Sequence, residues 1–186
     1  MLEYDYLTLL KHDPEVAEFD VQPLKVQVPK GRPYTPDVLV HFHSLPSGKP
    51  RPSELTEVKP SHILEEDAEK NAPKFAAATA LAHGNGWVFV TRTEDDVDYV
   101  RLRNIRKLQG FKQHPRNEVI HETLEDILAQ HRTGMTVTKL MEATAERTGR
   151  VGLLSTLWRG VIERAFHMDF SQDITMDSIV KSKAHP

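Results

Sequence analysis

The sequence predicts a mixed α/β domain followed by a small α+β domain. Alternating apolar residues before residue 60 indicate strands, whereas the apolar spacing of residues 62–83 and 118–164 is helical. The chain has 186 residues, of which 39% are hydrophobic and 27% are charged, which is ordinary for a globular protein. Because a domain usually takes about 100–200 residues, we expect one domain or two small ones, and we place the boundary between residues 110 and 111.

The composition excludes several classes of protein. The absence of cysteine excludes a disulfide framework, thiol catalysis and a cysteine zinc site. No apolar run approaches the roughly 18 residues of a membrane span, and the start, MLEYDYLTLL, lacks the basic segment of a signal peptide. The net charge of −3 argues against a protein that coats nucleic acid, but not against a nuclease, whose carboxylates offset its basic contacts. We expect a cytoplasmic protein with no membrane partner.

The first domain is predicted to begin with a short helix and to continue with strands. The segment after Asp13-Pro14 is interpreted as a loop, and residues 44–53 as a polar hairpin loop. The predicted elements are a helix over residues 2–10 and strands over Pro23–Val28, Val38–Phe42 and Leu55–Lys59.

A long helical segment, residues 62–83, follows these strands. Pro73 comes two residues after Asn71, so we expect a new helix to begin there with Asn71 near its cap. The helix should stop at Gly84, and Trp87–Thr91 should form a short buried strand. Residues 108–117 are interpreted as a linker.

The second domain has the element order of a winged helix-turn-helix. Its three predicted helices are followed by alternating residues, 165–180, that indicate a β hairpin. The helices are predicted over Glu118–Arg132, from Thr136 or Thr138 to Arg147, and over Gly152–Arg164.

Three charged residues of the predicted strands form a candidate catalytic group. Asp37 enters one strand, and Glu57 and Lys59 lie two apart in the next, so pairing of the strands would bring all three to one end of the sheet. Two carboxylates and the Val58 carbonyl would hold Mg²⁺, and the lysine would stabilise charge on a phosphate. The alternative is structural: Glu57 and Lys59 lie on the solvated face of an edge strand, and Asp37 ends the turn after Pro36. The pattern alone leaves both open.

Other polar residues have weaker patterns. His41 and His43 share one face of a strand and are candidate ligands of a transition metal, with a half-exposed strand face as the alternative. Candidate contacts to DNA phosphates, with a solvated surface as the alternative, are Arg32, Lys74, Arg92 and Arg101.

Four segments in succession resemble the catalytic domain of the TnsA family, the endonuclease subunits of heteromeric cut-and-paste transposases. The resemblance covers about residues 2–111, and the combined order is more specific than any single motif. The segments are MLEYDYLTLLKHDPEVAEFDVQP, RPYTPDVLVHF, ELTEVKPS and WVFVTRTEDDVDYVRLRNIRKLQGF.

The resemblance implies a role for each matching residue. Glu3 in LEYDYL matches the first catalytic acid, although an acid in the first turn of a helix is often only a partner of the helix dipole. Asp37 in YTPD matches the central metal ligand, Glu57 matches a position beside the metal that is Gln or Glu in the family, and Lys59 matches the catalytic lysine. The implied metal ligands are Glu3, Asp37, Glu57 and the Val58 carbonyl.

The fold implied is a restriction-endonuclease-like core with a winged-helix-like domain after it. The reaction implied is Mg²⁺-dependent hydrolysis of DNA at the 5′ ends of a transposon, with Mn²⁺ as a substitute metal. The implied partners are double-stranded DNA, a DDE transposase subunit and an AAA+ regulator, and the implied source is a bacterium, a phage or a mobile element. Three alternatives remain: a catalytically silent adaptor, another nuclease of the PD-(D/E)xK class, and a winged-helix regulator with an α/β sensor domain.

Overall fold

The computed structural model of the protein describes residues 1–29 and 31–183. The chain divides into two compact units, the first spanning Met1–Asp98 and the second beginning at Tyr99. The division comes before the helix Tyr99–Gln109, which the sequence analysis placed in the first domain. The apolar face of this helix carries Leu102, Ile105 and Leu108, all fully buried, and it packs with elements of the second unit.

The first unit is built on a four-stranded mixed sheet in the order β1-β2-β3-β4. The pairs β1/β2 and β2/β3 are antiparallel, and β3/β4 is parallel. The elements are α1 (Leu2–Lys11), β1 (Val16–Val21), β2 (Val38–Phe42), β3 (Glu54–Val58), α2 (Ser61–Glu66), α3 (Ala68–Gly84), β4 (Val88–Arg92) and a 3₁₀ turn (Glu94–Asp96). The predicted α/β class and the predicted first helix are therefore confirmed.

Each face of the sheet is covered by one helix. Because successive residues of a strand point to opposite faces, Leu39 and Leu55 pack with Ala78 and Ala82 of α3. Residues of the alternate set pack on the other face with α1. That second cluster consists of Tyr6, Leu10, Val16, Val38, Val40 and Val58. Strand β3 lies between β2 and β4 in the sheet. Both of its faces are covered, one by each cluster.

The loop predicted after Asp13-Pro14 is wrong, since this segment forms strand β1. The strand lies at the edge of the sheet, and apart from Val16 and Phe19 its side chains are exposed. Its acidic outward residues, Glu18 and Asp20, suit an edge that must not pair further, but they weaken the apolar alternation by which a strand is recognised.

The strand predicted over Pro23–Val28 is also wrong. This segment makes one isolated bridge, Val26 with Tyr34, instead of a ladder. The alternation was nevertheless informative, because Val26 and Val28 are buried in the cluster under α3. Alternation of apolar residues indicates that one face of an extended segment is buried. It does not indicate whether a partner strand is present.

The helix break predicted at Asn71 and Pro73 lies earlier, at Asp67. Helix α2 ends at Glu66, α3 begins at Ala68, and Pro73 lies inside α3. Asn71 is buried in α3 and does not cap a helix. Because proline has no N–H, α3 forgoes the backbone hydrogen bond that residue 73 would make to the Glu69 carbonyl. The predicted end at Gly84 is confirmed.

Strand β4 differs from the buried strand predicted at Trp87–Thr91. It begins one residue later and lies at the open edge of the sheet. Its side chains are intermediate or exposed, with Val88 42% exposed. The apolar run indicated a strand correctly, but its place in the sheet depends on pairing with β3, which the run does not specify.

The second unit combines four helices with a three-stranded sheet in the order β5-β7-β6, counted over its described residues. The helices and the hairpin predicted after residue 117 are confirmed, and Thr136 caps α6 through its hydroxyl, which accepts from the Lys139 N–H at 3.3 Å. The winged-helix assignment stays a prediction. The elements are α4 (Tyr99–Gln109), α5 (Glu118–Ala129), β5 (Met135–Thr136), α6 (Val137–Thr148), α7 (Leu153–Ile162), β6 (Phe166–Met168) and β7 (Ile179–Ser182).

The linker predicted at residues 108–117 is shorter than expected, because α4 runs to Gln109 and a 3₁₀ turn, Gly110–Gln113, follows it. Among the described residues, none of the helices has both the length and the apolar character that crossing a bilayer requires.

Candidate active site

Asp37 and Glu57 lie across from each other at one end of the sheet. Strands β2 and β3 pair antiparallel with Val38 opposite Thr56, so continuing that register by one residue places Asp37 opposite Glu57. The Val58 N–H donates to Asp37 Oδ2 at 2.8 Å and fixes this carboxylate against the end of β3. The sheet therefore brings together the two acids that the sequence analysis paired.

The segment before Asp37 is held in place by two backbone contacts. Tyr34 and Val26 exchange hydrogen bonds of 2.7 and 2.9 Å, and the Gln22 N–H donates to the Asp37 carbonyl at 2.7 Å. Gln22 adopts a left-handed conformation with φ of 51° to make that bond. Residues 22–28 thus support the YTPD segment.

Glu57 is buried and has a partner at each oxygen. Only 5% of the Glu57 surface is exposed. The Tyr34 hydroxyl donates to Oε2 at 2.7 Å, and the Lys59 ammonium donates to Oε1. A solvated edge strand, the structural alternative, is wrong for Glu57, because β3 lies between β2 and β4.

The pKa of Asp37 is raised to about 6, chiefly by burial. The Val58 N–H counteracts this shift, the negative charges of Glu57 and Glu3 add to it, and the positive charge of Lys59 reduces it. The result is a carboxylate whose charge is incompletely compensated near neutral pH. A positive ion beside Asp37 would supply the missing compensation.

Glu3 comes from a different element than the other three residues. It lies in the first turn of α1, is half-buried, and its charge is close enough to raise the pKa of Asp37. The helix packs on the sheet face opposite to α3. Placing Glu3 near Asp37 is therefore a result of how α1 docks on the sheet.

The turn that follows Lys59 is held by Glu94, which the sequence analysis quoted in a motif but gave no role. Glu94 accepts from the Ser61 N–H at 2.9 Å and from the Ser61 hydroxyl at 2.5 Å, at the start of α2. The Ser61 hydroxyl, with backbone N–H groups, lowers the pKa of Glu94 to about 2. The Lys59 N–H also donates to the Arg92 carbonyl at 2.9 Å. Both contacts restrain the backbone next to the lysine.

Tyr34 was also quoted without a role, in YTPD. No local pattern marks it as a partner of Glu57, which is 23 residues away in the chain. The available signal was its position three residues before Asp37, which predicts proximity to Glu57 only when the β2/β3 register is known.

The donor set fits a hard divalent cation in chemistry but is not assembled as a ligand shell. Carboxylate and carbonyl oxygens are the ligands that Mg²⁺ takes, and Asp37, Glu57 and Glu3 supply them. Within residues 1–29 and 31–183, however, no three acidic or histidine side chains are grouped closely enough to hold an ion. Both Glu57 oxygens accept hydrogen bonds, from Tyr34 and Lys59.

Two of the other candidates from the sequence, His41 and Arg92, have local partners. His41 Nδ1 lies 2.8 Å from Ser53 Oγ, and His43 is exposed. Arg92 donates to Glu54 at 2.6 Å and to Asp96 at 3.4 Å. These contacts connect elements of the first unit, so Arg92 is engaged within the fold.

Comparison with known proteins agrees with this geometry. Residues 13–94 match the family described as the TnsA-like endonuclease N-terminal domain. Residues 13–94 belong to the TnsA-like family. The match includes Asp37, Glu57 and Lys59 and begins after Glu3. No curated protein matches the chain.

The match of residues 13–94 agrees with the fold of the first unit. Its four-stranded mixed sheet, with α1 on one face and α3 on the other, is the restriction-endonuclease-like α/β core that the resemblance implied. The family is one of endonucleases, and the three residues that meet at the end of β2 and β3 lie within its matched segment.

Proposed function

We propose that this protein is a Mg²⁺-dependent DNA endonuclease that cuts the 5′ ends of a transposon within a multi-subunit transposase. One observation carries the proposal: Asp37, Glu57 and Lys59 converge at one end of the sheet in a TnsA-like endonuclease domain. Burial of Glu57 on an interior strand is costly, and catalysis supplies a reason for it.

Each residue of the group has a distinct proposed role. Asp37 and Glu57 would hold the metal together with Glu3 and the Val58 carbonyl, and the bound metal would activate water and stabilise charge on the phosphate. Lys59 carries a compact positive charge on a side chain that is 27% exposed. It can therefore contact a phosphate oxygen at the surface while the Glu57 carboxylate orients it.

The proposed partners follow from the family. We propose double-stranded DNA at transposon ends as the substrate, a DDE transposase subunit that cuts the other strand, and an AAA+ regulator. The winged-helix-like second unit would contact either DNA or one of these subunits.

A catalytically silent adaptor is the second candidate. The observation that favours it is the hydrogen-bonded state of Glu57, both of whose oxygens accept from residues of the chain itself. Binding of a metal by Glu57 would have to displace or share these donors. An adaptor would retain the fold and lack metal affinity.

Calorimetric titration of Mn²⁺ and Mg²⁺ separates the two candidates. The native chain is compared with Asp37→Ala, Glu57→Ala and, as a matched control, Glu69→Ala, which removes an exposed acid from the same unit. We expect heat of binding in the native chain and in the control, and none in the two site variants. Absence of binding in the native chain, with DNA also present, would contradict the nuclease and favour the adaptor.

If the native chain binds the metal, DNA cleavage is measured next. The chain is combined with the transposase and regulator subunits and a DNA bearing transposon ends, and 5′-end cleavage is measured. Lys59→Ala should bind the metal and fail to cleave, because its ammonium is assigned to the phosphate.

A further inference from the structure

We propose that Tyr34 is a positioning residue of this site: its hydroxyl holds the Glu57 carboxylate in the orientation that presents the other oxygen to Lys59. The consequence for metal binding rests on the proposed nuclease function. The consequence for Lys59 does not, because the three side chains are connected in the metal-free protein.

The position of the Tyr34 hydroxyl is set by the core of the first unit. Tyr34 is 9% exposed. Its backbone N–H donates to the Val26 carbonyl, and its carbonyl accepts from the Val26 N–H. Its ring lies 6.4 Å from the ring of Phe75, which lies 5.3 Å from that of Phe89. With the ring and the backbone both fixed, the hydroxyl is a rigid donor.

The hydroxyl approaches Glu57 from the core side. Tyr34 belongs to the buried cluster that packs with α3, and from there its hydroxyl donates to Glu57 Oε2.

Fixing one oxygen of Glu57 determines where the other one lies. A glutamate side chain has several rotatable bonds, and the Lys59 ammonium donates to Oε1 at the opposite end of the carboxylate. Without the Tyr34 hydroxyl, Oε2 would be buried without its donor, and the carboxylate would turn to find another. Lys59 would move with it. Tyr34 thus acts through Glu57 and not on the reacting atoms.

Tyr34→Phe tests this role, and Tyr6→Phe is the matched control. Tyr6 is 7% exposed, and its hydroxyl lies near Thr56 and Arg92. Its ring belongs to the cluster on the other face of the sheet. Each variant removes one buried hydroxyl and keeps the ring, so we expect similar decreases in melting temperature.

The first readout needs no metal. In protein labelled at lysine, the side-chain ¹³Cε and ¹⁵Nζ resonances of Lys59, assigned with Lys59→Arg, are compared among the native chain and both variants. We expect a displaced Lys59 resonance in Tyr34→Phe and an unchanged one in Tyr6→Phe. An unchanged resonance in Tyr34→Phe, or an equal displacement in both variants, would overturn the proposal.

The second readout is the Kd for Mn²⁺ measured by calorimetry. We expect Tyr34→Phe to raise it about tenfold, the usual effect of losing a residue that orients a metal ligand, and Tyr6→Phe to leave it unchanged. An unchanged Kd in Tyr34→Phe would overturn the role in metal binding. If the native chain binds no Mn²⁺ while the Lys59 resonance still responds, the nuclease function fails and the positioning role of Tyr34 stands.

Discussion

The Val58 N–H donates to Asp37 Oδ2 at 2.8 Å, so the acid that precedes β2 is bound to the last residue of β3. This bond connects two segments that a loop separates in the chain. It also satisfies only one oxygen of a carboxylate whose charge is disfavoured by burial and by two neighbouring acids. The charge of Asp37 therefore carries an electrostatic cost whenever no cation lies beside it.

Asp37→Asn should stabilise the metal-free protein at pH 7–8. The pKa of Asp37 is raised from 3.8 to about 6, which corresponds to at most about 3 kcal/mol. Since the carboxylate is partly solvated and solvent screens its interactions, we expect a gain of about 1–2 kcal/mol in the free energy of unfolding. The amide oxygen of Asn can still accept from Val58. Denaturant unfolding of both proteins measures the difference.

The same comparison has a defined pH dependence. Between about pH 4 and pH 6 the folded native chain holds more protons at Asp37 than the unfolded chain, so its stability falls as the pH rises through this window. Asp37→Asn lacks this decrease, and the two proteins should differ least below pH 4. An advantage of the variant that is equally large at pH 3.5 and at pH 8 would contradict the assigned cause.

Metal affinity should decrease in acid because a carboxylate must lose its proton to bind a metal. With the pKa of Asp37 at about 6, we expect the Kd for Mn²⁺ to be nearly constant above pH 7 and to rise up to about tenfold per pH unit below pH 6. Calorimetry at pH 5, 6, 7 and 8 checks this dependence. A Kd that is flat down to pH 5 would mean that Asp37 is not a ligand.

Glu94→Gln should loosen the start of α2 beside Lys59. Glu94 accepts from both the N–H and the hydroxyl of Ser61, and an amide oxygen is a weaker acceptor than a carboxylate. We expect faster hydrogen exchange at the Ser61 amide above pH 5 and a smaller difference as the pH falls toward 2, where the Glu94 carboxylate itself takes up a proton.

Asp95→Asn is the control for the Glu94 variant, since it changes an exposed acid in the same 3₁₀ turn. Hydrogen exchange at Ser61 should remain at the native rate in this control. Equal acceleration in both variants would point to the turn as a whole and not to the Glu94 carboxylate.

Gly160→Ala should destabilise the second unit. A methyl group at Gly160 in α7 would lie 2.4 Å from Phe166 Cε2, in β6, and relief of such overpacking costs about 1–3 kcal/mol. Gly110→Ala is the control, because its added methyl group meets nothing within 4 Å. Thermal unfolding should show a lower midpoint for the first variant only. A native midpoint in Gly160→Ala would show that Phe166 can move away at little cost.

The accuracy of the sequence predictions depended on how local each signal was. Helix α6 was predicted from a cap at Thr136 or Thr138 and the apolar spacing that follows, since capping and helical periodicity act within a few residues. Strand β1 was missed because the side chains of an edge strand are mostly solvated. The break before α3 was assigned to Pro73 instead of Asp67 because proline is common at the first position of a helix, whereas here it lies inside α3.

The residues of the candidate site also differ in how local their sequence signals are. Asp37, Glu57 and Lys59 were recognised from the sequence because their spacing on two successive strands is local and because the surrounding segments resemble a known family. Tyr34 and Glu94 were given no role. Their partners, Glu57 and Ser61, are distant in the chain and come close only when the strands pair and the 3₁₀ turn approaches α2.

The amino-acid sequence alone determined the fold class, the succession of domains and the residue types of the candidate site, because periodicity and motif spacing are properties of the chain itself. Only the tertiary structure decided that β3 is an interior strand, that Glu57 is buried between Tyr34 and Lys59, and that Glu3 approaches Asp37. These facts depend on strand order and helix docking, which bring together residues far apart in the chain and thereby set burial and electrostatics.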